Sequence, residues 1–353
     1  MTPFDSSSKT PATTSNDALP QEQVQADVAP PVGITPPQVL ARDAAAGRRG
    51  AAWRLLYWIM ENDPRAVVAV SSLDDDRLAQ NLLEFIAVGT WAGKPFVVPV
   101  PLRSAYARTR LRTLFLPEAG MDYGRAERVL LSRVHDKQPA MRETVAYILG
   151  IVGSPAATPA MIEALRDPVP AVRLQAAKAL GRTGNEAAVP ALLGALPGAD
   201  DQLGSQIFSA LIKLGPLAVP ALIQESKSGS AWKRWQCVRA LGDIHDLRAL
   251  PVLVKALEDP DHSVAWMGAK SLVHFGKSGI RPVLETLISA SMTPWLAETA
   301  SYVLNSRMQR DSAMKPYLEP LVQRMRESGF RVGTSVAARK ALDQLVADGL
   351  VEE

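Results

Sequence analysis

The stretch "DPVPAVRLQAAKALGRTGNEAAVPALLGAL", residues 167–196, reads as two short helices joined by a small turn. Asp167 offers a carboxylate that can accept backbone N–H groups as an N-cap. Pro168 then stands at the first helical position, where a missing N–H costs nothing. Val172, Ala176, Leu180 and Thr183 fall at helical spacing and make one almost wholly apolar stripe. Gly181 and Gly184 read as the end of that helix, because glycine tolerates the left-handed conformation. Pro190, Leu193 and Leu196 belong to a second helix.

The stretch recurs. Shifted by 31 residues upstream stands "DKQPAMRETVAYILGIVGSPAATPAMIEAL", residues 136–165. Val172, Arg173, Leu180, Gly181, Gly184, Pro190 and Leu196 become Met141, Arg142, Leu149, Gly150, Gly153, Pro159 and Leu165. Downstream, Leu211, Leu241, Leu272 and Leu304 take the place of Leu180, and Leu342 takes it in a last, fading copy "SVAARKALDQL". Arg142, Arg173 and Arg234 share one position, which marks a structural arginine bonded to a neighbouring repeat's acid or turn carbonyls. A period of about 30 residues with two helices per unit is the mark of a helical solenoid, in which each unit buries its apolar stripe only by stacking on the next. The predicted fold is therefore an all-α, right-handed α-solenoid of two-helix repeats with a period of about 31 residues.

The pattern D-P-x-x-x-V-R-x-x-A-A-x-A-L-G-x-x-G-x-x-x-A-V-P-x-L-x-x-A-L resembles the bacterial HEAT-like repeat of the phycobilisome-lyase type, well over about 135–290 and loosely over 291–348. The resemblance implies the fold and little else, since the shared positions are packing positions.

Around that body the chain divides into three. Residues 1–46 read as a disordered tail rich in Pro, Ser and Thr, with no basic region leading into an apolar one as in a secretory signal. Residues 47–134 read as a degenerate helical cap for the first repeat: a helix in "RRGAAWRLLYWIMEN", another in "DDDRLAQNLLEFIAVGTW", and an extended Pro-broken connection with sheet confined to a few residues at 96–100. Residues 135–353 form the repeat body.

The 353 residues are 47% apolar and carry a net charge of +3. The tail is acidic and the body mildly basic, without the dense basic face of a dedicated nucleic-acid binder. No apolar run long enough for a membrane span is free of charge or proline. One cysteine, Cys237, excludes a disulfide framework and fits a reducing, cytoplasmic setting.

Candidate chemistry is sparse. His135, His245, His262 and His274 never stand four residues apart, and no C-x-x-C occurs. A HEAT-like relative, deoxyhypusine hydroxylase, holds two irons through His-Glu dipeptides; this chain has none, offering His-Asp in "VHDK" and "IHDL" instead. Bilin lyase activity, another association of the family, rests here on the repeat resemblance alone. Cys237 stands where Ala176 stands in the reference repeat, which makes it a small core residue. No catalytic, cofactor-binding or metal-binding residue is assigned.

A binding surface is a better prospect. In "SAWKRWQCVRALG", Trp232 and Trp235 lie three apart on one helix, with Lys233, Arg234 and Arg239 beside them. Trp295 repeats the Trp232 position and Trp266 the Trp235 position, so stacked units align them into a partial ledge. Arg108 and Arg112 share a face in the sharpest basic run. HEAT-like DNA glycosylases bind DNA with Trp and Arg, but none of their motifs is visible here. The expected function is a non-catalytic, monomeric protein-interaction scaffold. A lyase-like auxiliary for a bilin-carrying protein and a nucleic-acid binder are the alternatives.

Overall fold

The computed structural model describes residues 35–61, 63–71, 76–97, 112, 123–327 and 333–352. The candidate Arg108 lies outside the described residues. The chain begins with α1 (Pro37–Ala45), α2 (Arg49–Met60), α3 (Pro64–Ser71), α4 (Asp76–Val88) and α5 (Tyr123–Ser132). Two-helix units follow: α6 (Pro139–Val152) with α7 (Thr158–Ala164), α8 (Pro170–Leu180) with α9 (Ala188–Ala195), and α10 (Asp201–Leu214) with α11 (Val219–Glu225). Next come α12 (Ala231–Ile244) with α13 (Leu250–Ala256), α14 (His262–His274) with α15 (Ile280–Ser289), and α16 (Pro294–Arg310) with α17 (Lys315–Arg326). The last helix is α18 (Thr334–Ala347). The first helices of successive units, α6, α8, α10, α12, α14 and α16, pack in chain order, and α4 packs on α6. The architecture is the expected all-α solenoid.

Leu149, Leu180, Leu211, Leu241, Leu272 and Leu304, the residues that share one repeat position, are all fully buried. Thr183 is buried too and donates its hydroxyl proton to Leu180 O at 2.9 Å. The glycine after Leu180 has a different role from the one its position suggests. Gly181 has φ −64°, an ordinary helical value; Gly184, at φ +62°, is the left-handed residue. A Cβ on Gly181 would stand 2.7 Å from Ala210 Cα on the next first helix. Gly150 faces Ala179 in the same way at 3.0 Å, and Gly242 faces Ser271 at 2.3 Å from its Oγ. The repeated glycine lets adjacent first helices touch backbone to backbone.

The repeated arginine stitches the loops. Arg142 donates from Nε and Nη2 to Asp167 at 2.7 and 3.0 Å, and from Nη1 to the carbonyl of Asp136 at 2.8 Å. Arg234 does the same to Asp259, at 2.7 and 2.8 Å, and to the carbonyls of Ser228 and Gly229. Each guanidinium thus joins the loop before its own helix to the loop before the next. Arg173 keeps only the carbonyl bonds, to Asp167 and Pro168, because the acid's repeat position holds Gly198. Asp167 is consequently not the N-cap. Its carboxylate is taken by Arg142 and by the Val169 N–H at 2.9 Å, the N-cap is Val169, and the helix begins at Pro170.

The tail predicted over 1–46 includes folded residues, and 1–34 lie outside the described residues. Residues Pro37–Ala45 form α1, with Leu40, Ala41, Ala44 and Ala45 buried. Buried side chains bond the carbonyls at its C-terminal end: Asn81 Nδ2 donates to Ala45 O at 3.1 Å and Trp91 Nε1 to Ala44 O at 2.9 Å, the latter also taking the Gly47 N–H. α3 is a further helix beyond the two expected over 47–134. The small sheet pairs Thr90–Trp91 with Lys94–Pro95, ahead of the expected 96–100. At the other end, α18 does not add a further first helix to the row. It packs on α15 and α17, burying Leu345 in place of the predicted Leu342, which is only half-buried.

Two outcomes follow from these contacts. Gly181→Ala destabilises the protein by about 1–3 kcal/mol through overpacking, although alanine is the better helix former. Gly194→Ala, in α9 with nothing within 4 Å of the new methyl, stabilises by up to about 1 kcal/mol. Urea melts of the two variants therefore move in opposite directions. The second outcome concerns Asp167. Burial opposes its charge, but hydrogen bonds from Arg142 and the Val169 N–H and the nearby arginine charges prevail, so its pKa lies below the ordinary carboxylate value. A group depressed in the folded state contributes stability above its unfolded pKa and loses it as pH falls through the folded one. Asp167→Asn is thus destabilising at pH 7, and the difference from the parent closes in melts run towards pH 2.

Candidate functional site

The ledge predicted from the Trp spacing forms, with a changed membership. On α12, Trp232 is 42% exposed but packs edge-on against Phe208 of α10, centroids 5.6 Å apart, with its ring tip over Gly204. This tryptophan locks two units together. Arg234 is spent on the clamp described above, so it is removed from the binding candidates. Lys233 is half-buried and lies 3.8 Å from Glu225. Trp235 is half-buried and carries Arg239 over its face at 5.7 Å; Arg239 also lies 3.7 Å from Asp243. Arg112 is not beside the ledge: its guanidinium sits over Tyr147 of α6 at 4.5 Å.

The ledge is richest one and two units further on. His262 and Trp266 stand one turn apart on α14; Trp295, Glu298 and Tyr302 share a face of α16. His262 lies 4.2 Å from the Trp295 ring, and Trp266 lies 4.9 Å from the Tyr302 ring. Glu298 reaches His262 at 3.7 Å. Trp295 and Tyr302 remain 51% and 37% exposed. Two grooves flank this cluster. One, of about 330 Å³, is lined by Trp235, His262, Trp266, Lys270 and Glu298 among others. The other, of about 510 Å³, lies between α16 and α17 and is lined by Glu298, Tyr302, Asn305 and Met325 among others.

Of the predicted residues, the structure therefore brings Trp235, Arg239 and Trp266 together and sets Trp232, Arg234 and Arg112 to packing or bonding elsewhere. Tyr302, His262, Lys270 and Glu298 were missed. The repeat register could have found three of them: Tyr302 and Lys270, like Arg239, occupy the position of Lys178, and Glu298 occupies the Trp235 and Trp266 position one turn earlier; His262 shares neither position.

Cys237 is fully buried, and burial pushes its thiol up to about 12, with Glu225 adding to the effect and Lys233 opposing it. Among the described residues no group of three or more His, Cys, Asp and Glu could hold a metal ion, and no helix is long and apolar enough to cross a membrane.

Comparison with known proteins identifies the repeat family. The family described as HEAT repeats matches residues 119–211 and 219–305, starting upstream of the residue 135 at which the repeats were expected to begin. No curated protein matches the chain. Similar solved structures include the CpcE–CpcF phycocyanin lyase complex from Nostoc sp. PCC7120, at 17% identity and TM-score 0.32, covering 72% of this chain and 96% of that one. Human deoxyhypusine hydroxylase matches at 16% identity and TM-score 0.29, covering 76% and 97%. Importin beta matches at 12% identity and TM-score 0.41, covering 88% of this chain and 50% of that one.

The state of Cys237 gives a direct check. A thiol-reactive dye at pH 8 leaves the native protein unlabelled and labels it only at the rate of unfolding in urea. Rapid labelling of the native protein would show an accessible thiolate and contradict the buried placement.

Proposed function

The chain belongs to the HEAT-repeat family, and we propose that it works as a non-catalytic scaffold that docks a protein partner on the aromatic ledge of α12, α14 and α16. Within the family, the residue pattern of 167–196 points to the phycobilisome-lyase type of repeat. Helices α1–α5 cap the start of the stack, and the lone cysteine fits a reducing, cytoplasmic setting.

One observation carries the reading. Trp235, Trp266, Trp295 and Tyr302 form a surface cluster across three consecutive first helices, beside two open grooves. A core aromatic hides its ring from water; these rings are left half-exposed while the leucine stripe beneath is fully buried. Tryptophan, tyrosine and arginine are the residues that dominate binding energy at protein interfaces. The mixed charges of Lys270, Glu298 and His262 around the rings suit a polar rim.

A photoreactive phenylalanine analogue placed at Tyr302 tests this in the native host. It gives a discrete protein adduct, whereas the same analogue at Lys255, on α13, does not. Adding Trp266→Ala lowers the adduct yield by about thirtyfold, the loss expected for a hot spot of about 2 kcal/mol. Adducts of equal yield from both positions, or crosslinks to nucleic acid alone, would contradict the proposal.

A further inference from the structure

The ledge has an electrostatic companion that the scaffold reading does not use. One turn beyond the Trp235 and Trp266 position, the six first helices carry Tyr147, Lys178, Ser209, Arg239, Lys270 and Tyr302 in order. Where that row lapses to Ser209, α10 supplies the exposed Lys213 one turn later. Four cations thus follow one another along one face of the stack, bounded at each end by a tyrosine. Lys178, Lys213 and Lys270 form no ion pair among the described residues, whereas Arg239 has Asp243 at 3.7 Å; Glu298 lines the same groove as Lys270 but turns to His262. The aromatic position itself is Glu143, Leu174, Ser205, Trp235, Trp266 and Glu298, so acids on it stand only at the two ends.

We infer that this face receives an acidic linear segment of a partner protein, its carboxylates lying along Lys178, Lys213, Arg239 and Lys270 and an apolar side chain seated between Trp235 and Trp266. The inference rests on the scaffold reading and names the partner's chemistry. Charge complementarity selects the occupant. A basic segment would meet the unpaired ammonium groups of Lys178, Lys213 and Lys270, and like charges held together across an interface are costly. The groove of about 330 Å³ joins both halves of the ligand, since Trp235 and Trp266 line it together with Lys270. A dodecapeptide in extended form spans about 40 Å, enough to cross several stacked helices at interaxial distances of about 10 Å. Glu298, turned to His262 at 3.7 Å, closes the cationic row and sets the end at which the segment's carboxylates stop.

The test is selection of a random dodecapeptide library displayed on phage against the full chain. The enriched peptides are then measured by fluorescence anisotropy at two salt concentrations. The expected consensus carries several Asp or Glu around one aromatic or leucine. Its affinity falls with salt, falls at least tenfold with Lys270→Glu, and falls by a smaller factor with Lys270→Gln. It falls with Trp266→Ala and stays unchanged with Lys340→Glu on α18. Circular dichroism melts of each variant confirm that the fold is retained. A basic or uncharged consensus overturns the inference; if its binding still depends on Trp266, the scaffold reading survives. An acidic consensus indifferent to Lys270→Glu also overturns it. Enrichment of no peptide, with tight salt-dependent binding of a single-stranded oligonucleotide instead, overturns both.

Discussion

The close approach of neighbouring first helices at Gly150, Gly181 and Gly242 is the constraint on which the rest of the structure depends. A side chain at these positions would collide with Ala179, Ala210 or Ser271 on the next helix. With hydrogen alone there, the backbones touch, and the leucine immediately before each glycine is driven fully into the core. Packing at that density transmits position: a helix displaced in one unit displaces the next. The Arg–Asp clamps act at the opposite end of the same helices. Arg142 and Arg234 fix the loop spacing there, so that α6 and α12 are each located by a close steric contact at the C-terminal end and a charged one near the N-terminal end.

These two devices consume particular side chains and release others. Arg234 and Trp232 lie in the densest cluster of basic and aromatic residues in the repeats, yet one is bonded into the loops and the other packed on Phe208. The residues left over are those on the outward face of α12, α14 and α16, where neither the glycine contact nor the clamp reaches. There the helices are held parallel and in register, so side chains at one repeat position form a row. A row of rings and a row of cations on a rigid support is a preorganised surface, and less conformational freedom is lost when a partner binds it.

The solenoid was legible because its determinants are local and repeated. A leucine, a glycine and an arginine recurring at about 31 residues needed no long-range information. The role of Gly181 was misread because its position at a helix end suggests a turn; only the neighbouring helix shows that the requirement is steric, at ordinary φ. Helix α1 was missed because its carbonyls are capped by Asn81 and Trp91, some 36 to 47 residues away, a dependence invisible in a proline-rich stretch. The return of α18 onto α15 and α17 is likewise tertiary, since its sequence continues the repeat pattern. For the surface, spacing identified Trp235, Trp266 and Arg239 as neighbours. The density of basic residues also drew Arg234 into the surface, although its recurrence with Arg142 and Arg173 marks it as the structural arginine that the structure shows; spacing passed over Tyr302 and Lys270 because the proposed row has no fixed residue type.

The central claim is that packing positions and binding positions are separate sets on the same helices. The most direct measurement is a saturation scan of residues 231–310 scored twice, for abundance of folded protein and for capture of the crosslinked partner. The account predicts that substitutions at Leu241, Gly242, Leu272 and Leu304 lower abundance and binding together, whereas those at Trp266, Lys270 and Tyr302 lower binding at normal abundance. If Trp266, Lys270 and Tyr302 instead follow the leucines, losing abundance and binding in proportion, the ledge is packing and the account is wrong.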